Sequence, residues 1–330
     1  MARIPETTEG RRTSRWLEWN AEMCVQDAPD FEFLQLWPWL LSPESCRFPL
    51  ARPALRPYNR DAPQRRPRMP AELSPIDTAK FAAARRAVDL VQDGMKLGLG
   101  TGSTAAWMVR CLAERVREEG LRVQGVPTST RTAELARALG IQVVTLDEAK
   151  WLDLTIDGAD EFDADFNLIK GGGAALLQEK IVATASDRMV VIADAAKEVA
   201  HLGAFPLPVE VIPFGWQSTK MLIEETLEGM DVLGREVTLR LSGDAPLLTD
   251  EKNYILDLHL KRIGEPRKLG LALNQIAGVV ENGLFIDICD TVVVGHGDGR
   301  VSLRDLQSGQ AEEGFIDMDR ARNIFADLGD

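Results

Sequence analysis

Apolar positions first settle into a helical period at Asp77-Thr78-Ala79-Lys80-Phe81, continue through Ala82, Ala83, Ala84, Val88 and Val91, and stop at Gly94. From Lys96 the pattern alternates between short apolar runs and amphipathic stretches. Lys96 to Leu99, Val123 to Val126, Gln142 to Thr145, Leu152 to Ile156 and Met189 to Ala193 read as strands. Between them, Ser103 to Glu118, a stretch capped by Thr130 and ended by Gly140, and Ala174 to Ala185 read as helices. This alternation predicts an α/β fold with a doubly wound, mostly parallel sheet and ligands at the carboxyl ends of its strands.

The pattern changes after Phe205-Pro206-Leu207-Pro208. Strands over Val209 to Ile212, Glu236 to Leu241 and Tyr254 to Leu260, with helices over Thr219 to Leu227 and Arg267 to Ile276, predict a small α+β unit. The chain is expected to return to the large sheet through Gly283-Leu284-Phe285 and Thr291 to Val294. The expected organisation is therefore a Rossmann-like catalytic domain over 69–206 plus 281–306, a small lid domain over 207–280 and an exposed tail over 307–330.

Residues 1–68 lack any sustained period. They carry eleven arginines, no lysine, nine acids and nine prolines, a composition that buries too little apolar surface to offset ordering entropy. They are expected to be a disordered or mis-called extension ahead of a start at Met69. The competing reading is a partner-binding arm that uses Trp16, Trp19, Trp37 and Trp39.

Charge narrows the function classes. A net charge of −13 disfavours nucleic-acid or anionic-membrane surfaces, so an anionic ligand has to be held by local groups. The apolar stretch Phe31 to Leu41 is too short to span a membrane, which points to a cytoplasmic protein. Cys24, Cys46, Cys111 and Cys289 form no CxxC and are expected as free thiols of a reducing cytosol. His201, His259 and His296 lie far apart, which disfavours a His-based metal site. Asp163, Asp165 and Asn167 begin like a calcium loop, but Leu168 stands where glycine is required and Ala174 where the bidentate Glu belongs.

Three segments carry chemistry. Gly98-Leu99-Gly100-Thr101-Gly102-Ser103-Thr104 joins a strand to a helix, whose free N–H groups and positive dipole end suit an anion. Ser103 occupies the third glycine of a dinucleotide fingerprint, and no Gly-Lys-Ser/Thr end follows, so the turn favours a phosphate monoester. Asp157-Gly158-Ala159-Asp160 puts two carboxylates at a strand's carboxyl end, with Glu161, Asp163 and Asp165 expected as a solvated acidic turn. Lys170-Gly171-Gly172-Gly173 runs into the helix that contains Glu179. Glu179 has Ala175, Leu176, Val182 and Ala183 three and four positions away, so it is expected to be buried, with its pKa raised toward the range of a base. Paired with Lys170 or Lys180, it would instead be a structural ion. Lys197 follows Asp194-Ala195-Ala196 and is within reach of the same crevice.

Together GTGST with its first glycine at Gly100, DGAD from Asp157, IKGGGAAL from Ile169, EKI from Glu179, ADAAK from Ala193 and FPLPVEVIP from Phe205 resemble type A ribose-5-phosphate isomerase. The resemblance covers roughly Pro75 to Leu306. It implies substrate contacts at Thr101, Gly102, Ser103, Thr104, Asp157, Gly158, Ala159, Asp160, Lys170, Gly171, Gly172 and Gly173, with Lys197 and Lys80 on the phosphate side. It implies Glu179 as general base with Asp157 and Lys170, no metal or organic cofactor, a sugar phosphate as the small-molecule partner, a ferredoxin-like lid and a homodimer. The rivals are a non-catalytic sugar-phosphate sensor and a coenzyme A transferase with Glu179 as nucleophile.

Overall fold

The computed structural model describes residues 73–318, all within the unit Arg65–Asp330. The expectations for 1–68 therefore lie outside the described residues. Chain order begins α1 Pro75–Val88, β1 Lys96–Leu99, α2 Ser103–Glu119, β2 Gln124–Pro127, α3 Thr130–Ala138, β3 Gln142–Val143 and α4 Leu146–Ala149. It continues β4 Leu154–Gly158, β5 Glu161–Phe162, β6 Leu168–Ile169, α5 Leu176–Thr184 and β7 Met189–Asp194, then a 3-10 turn at Ala195–Lys197. Next come β8 Leu207–Val211, α6 Trp216–Glu228, β9 Glu236–Leu239, the hairpin β10 Leu241–Ser242 and β11 Ala245–Pro246, β12 Tyr254–His259, α7 Pro266–Leu273 and β13 Val279–Asn282. The described chain ends with β14 Leu284–Phe285, β15 Thr291–Gly295, β16 Arg300–Asp305 and β17 Ala311–Phe315.

Local chemistry sets the helix starts. The Ser74 side chain accepts the Asp77 N–H and a proline opens α1, while Ser129 rather than Thr130 caps α3 by accepting the Thr132 N–H. In contrast, α2 starts at Gly102 with φ 114° and no side-chain cap, which leaves its first N–H groups open.

The large sheet runs β17-β16-β15-β7-β4-β1-β2-β3. The six strands from β15 to β3 are parallel to their neighbours, and β16 and β17 add antiparallel at one edge. β1 lies inside the sheet, with β2 and β3 on one side and β4, β7 and β15 on the other. The strand order thus reverses between β1 and β4, the switch point that opens a crevice beyond their carboxyl ends. The core of this sheet packs Phe81, Met108, Leu112, Leu97, Leu99 and Ile156, among others, with Phe81 and Trp107 edge to face.

The smaller unit is a β8-α6-β9-β12-α7-β13 arrangement, the hairpin apart, with sheet order β13-β8-β12-β9 and every pair antiparallel. This is the ferredoxin-like connectivity. Two details differ from the sequence reading. β13 extends this sheet to Asn282, beyond the expected 280 boundary, and Ala311–Phe315, inside the expected tail, form an edge strand of the large sheet. A three-stranded antiparallel patch, β14-β6-β5, joins the acidic turn to the glycine loop. Strands of two residues carry no readable period, so the pattern missed it.

Candidate active site

The β1 and β4 turns meet at the switch point. Gly100 lies so close to Asp157 that a Cβ on it would sit 2.0 Å from Asp157 Oδ1. That oxygen accepts the Thr101 N–H at 3.0 Å and the Gly158 N–H at 2.7 Å, so the carboxylate ties the two turns together. The glycine loop arrives from β6, and Gly172 N–H donates to Asp160 Oδ2 at 2.7 Å. α5 then carries Glu179 back over β4.

Lys170 stands at the centre of three buried charges. Its Nζ lies 3.0 Å from Asp157 Oδ2 and 3.2 Å from Glu179 Oε2, and it donates a 2.6 Å hydrogen bond to the Gly158 carbonyl. Asp157, Lys170 and Glu179 are 0%, 2% and 4% exposed. Asp157 Oδ2 and Glu179 Oε2 are ion-paired to Lys170 yet accept no well-formed hydrogen bond. Both oxygens are shielded from solvent, so the Lys170 ammonium is the charged partner each faces.

Burial pushes the Glu179 carboxyl up to about 8; the neighbouring Asp157 charge adds to the rise and the Lys170 ammonium opposes it. Burial likewise raises Asp157 against the pull of Lys170. For Lys170 burial disfavours the charge, but Asp157 and Glu179 outweigh it and hold the ammonium above its ordinary value. One cation between two carboxylates leaves one excess negative charge in a dry site, which is why the pair gives up its last proton at higher pH than an exposed carboxylate.

A cavity of about 400 Å³ opens above this triad, a size suited to a small ligand. Thr101, Gly102, Ser103 and Thr104 line one side, Gly158, Ala159 and Asp160 another, and Lys170, Gly171, Gly172, Gly173 and Glu179 the floor. Lys80 from α1 and Lys197 from the 3-10 turn complete it. Fourteen of the expected site residues thus share one cavity, and Asp157 lies directly beneath it.

Several roles differ in detail. The Thr101 hydroxyl turns away from the cavity and bonds Thr128, Ser129 and Thr132 at 2.8, 2.8 and 3.2 Å, so it is not free for a ligand. The Ser103 and Thr104 hydroxyls make no side-chain hydrogen bond among the described residues. Lys180, weighed as a partner for Glu179, instead pairs with Glu281 at 2.8 Å. Glu161 is no solvated turn residue: it is buried and accepts the Gly203 N–H at 2.7 Å and the Phe205 N–H. Ile76, Asp194 and Ala196 also line the cavity. Arg240, from the small sheet, donates to the Gly171 carbonyl at 2.7 Å. An isolated arginine at the end of a strand pattern carries no sequence signal for that contact. Among the described residues, no group of three or more His, Cys, Asp or Glu side chains is arranged to hold a metal ion.

Known proteins share this sequence and fold. The sequence profile of ribose 5-phosphate isomerase A (phosphoriboisomerase A) matches residues 124–299. A Cereibacter sphaeroides protein named ribose-5-phosphate isomerase A is 99% identical over 262 residues, which are 79% of this chain and all of that protein. The structure of ribose 5-phosphate isomerase A from Methanocaldococcus jannaschii superposes with a TM-score of 0.62 at 40% identity, covering 73% of this chain and 99% of that one. A D-ribose-5-phosphate isomerase solved in complex with phospho-erythronic acid gives 0.63 at 36% identity, with coverage of 73% and 99%. From the switch-point cavity and the match along whole relatives, the chain belongs to the ribose-5-phosphate isomerase A family and is an isomerase.

Proposed function

We propose that the chain interconverts D-ribose 5-phosphate and D-ribulose 5-phosphate through a cis-enediolate, with Glu179 as the general base. The observation that carries this reading is the Lys170 ammonium held between the Asp157 and Glu179 carboxylates on the cavity floor, 3.0 and 3.2 Å away. A relative solved with phospho-erythronic acid, a four-carbon sugar-acid phosphate, supports a ligand of this class.

The phosphate takes the uncapped start of α2, where the Ser103 and Thr104 hydroxyls and open N–H groups supply donors and Lys80 and Lys197 supply charge. With the sugar ring open, the Glu179 carboxylate removes the C2 proton. The electron pair forms the C1–C2 double bond, and the carbonyl oxygen on C1 becomes an oxyanion that Lys170 and the glycine-loop N–H groups stabilise. The O2 proton passes to O1 with Asp157 assisting, the C2 carbonyl forms, and Glu179 returns its proton to C1. Asp160 orients the substrate hydroxyls. A carboxylate with a raised pKa suits both steps, since it accepts and returns a proton near neutral pH.

The reading is tested by running the reaction in D₂O and following the product by NMR. Where the proton held on Glu179 exchanges with solvent before its return, deuterium enters C1 of ribulose 5-phosphate, in full or in part. A hydride shift never passes through Glu179, so turnover with no solvent deuterium at C1 that also survives in Glu179→Gln would contradict the reading. A coenzyme A transferase would leave a trappable thioester at Glu179, and a sensor would bind substrate without turnover.

A further inference from the structure

The three-glycine loop poses a physical problem. If its N–H groups stabilise an oxyanion, their peptide planes have to be fixed before the charge develops, yet consecutive glycines rotate more freely than any other residues. Bulk cannot supply the stiffness at Gly171 and Gly172, because a Cβ at Gly172 would sit 2.6 Å from Asp160 Oδ1 and one at Gly171 2.8 Å from Leu176 Cδ2; only Gly173 has room, with 3.7 Å to Thr101 Cγ2. Within the loop the Ala174 N–H closes a turn on the Gly171 carbonyl at 3.0 Å, but that bond leaves the Gly172–Gly173 peptide unheld, so its stiffness has to come from outside the loop.

We propose that Arg240, anchored on the small four-stranded sheet, is a positioning residue that fixes the Gly172–Gly173 peptide and thereby presents the Gly173 N–H to the reacting oxygens. Arg240 Nη1 donates to the Gly171 carbonyl at 2.7 Å and to the Gly172 carbonyl at 3.2 Å. The other edge of the guanidinium grips Asp257 on β12, through Nε to Oδ2 at 2.8 Å and Nη2 to Oδ1. The Arg240 backbone is itself held, its N–H on the Ile255 carbonyl at 2.9 Å and its carbonyl on the Leu247 N–H at 2.9 Å.

The peptide planes follow from these contacts. The Gly171–Gly172 peptide has both ends occupied, its carbonyl on Arg240 and its N–H on Asp160. In the Gly172–Gly173 peptide the carbonyl is on Arg240, while the Gly173 N–H has no protein acceptor among the described residues. A trans peptide directs its N–H opposite its carbonyl. With the carbonyl drawn toward the small sheet, the N–H is turned to the cavity that Gly173 lines. A lysine cannot replace this fork, since holding a carboxylate and two carbonyls at once needs the planar array of donors.

This inference rests on the isomerase reading above, and its test separates the two. Steady-state kinetics and Tm are measured for R240M, R240K, D257N and the R240M/D257N double variant, with E179Q in parallel. The expected result for R240M is a loss of about 10- to 100-fold in kcat with KM within about threefold, the split of an interaction made in the transition state. R240K recovers little of the loss, D257N shows a smaller loss of the same kind, and the double variant is no worse than R240M because both act through one contact. Phospho-erythronic acid, whose carboxylate stands in for the enediolate oxygens, loses affinity in parallel with kcat/KM.

A kcat within about twofold of wild type in R240M and D257N, with E179Q inactive, overturns this inference alone. An active E179Q overturns the underlying reading. Should R240M fold poorly, D257N and R240K carry the test, and a loss confined to Tm in them counts against the proposal.

Discussion

At the residue scale the site is decided by how tightly Asp157, Lys170 and Glu179 are packed. Gly100 has no room for a side chain beside Asp157, so Gly100→Ala is expected to displace the carboxylate, break its bond to the Thr101 N–H and lower kcat/KM at least about tenfold. Titration gives a second prediction. With Glu179 as the proposed base, activity needs its ionised form, and because its pKa is pushed up to about 8, kcat/KM should rise with pH through that region and level off above it. Asp157→Asn removes a like charge, and the inflection in a pH–rate profile should move down. The stability sign is the reverse. A carboxyl whose folded pKa exceeds its ordinary 4.5 contributes stability that is full below 4.5 and lost as pH rises through the folded value. Glu179→Gln should therefore match wild-type Tm near pH 4.5 and exceed it by a few degrees at pH 9, measured by thermal melts. Burial of Glu179 was legible because its helix neighbours are apolar on that face. Glu161 was not: its partners Gly203 and Phe205 lie 42 and 44 positions away, and Asp163 and Asp165 beside it imitate a solvated turn.

At the scale of elements, strand and helix alternation carried most of the large sheet, because parallel strands buried on both faces read as apolar runs. The order of those strands was not legible, since periodicity gives elements but not their neighbours. The reversal between β1 and β4 is what turns two separate motifs into one crevice. Close packing of α1 on the sheet adds a test. A Cβ on Gly295, in β15, would lie 1.9 Å from the Ala79 carbonyl, and backbone cannot yield as a side-chain tip does. Gly295→Ala is expected to destabilise the fold by about 1–3 kcal/mol, read as a lower denaturant midpoint. An unchanged midpoint would mean that α1 is less tightly seated than its contacts indicate. Since α1 carries Lys80, substrate affinity should fall with it.

For the whole molecule, the net charge of −13 and the anion-holding site are reconciled by locality. In the proposed reading phosphate meets an open helix start and two lysines rather than a global field, so raising salt should weaken substrate binding only modestly. The Cereibacter relative is matched along its entire length by 262 residues of this chain. A chain starting at Met69 is accordingly expected to keep kcat/KM within about twofold of the full chain. The small unit was legible as α+β from its change of pattern, but its reach to the glycine loop through Arg240 was not, because a contact spanning 69 positions leaves no local trace.

Glu179 carries the central claim, and one comparison addresses it most directly: conversion of ribose 5-phosphate to ribulose 5-phosphate by wild type and Glu179→Gln, in chelator, with substrate affinity measured on the same samples by calorimetry. The account predicts full wild-type activity in chelator, a fall of at least about a thousandfold in kcat for Glu179→Gln, and dissociation constants within about threefold of each other. Near-normal turnover by Glu179→Gln, or wild-type turnover abolished by the chelator, would contradict it.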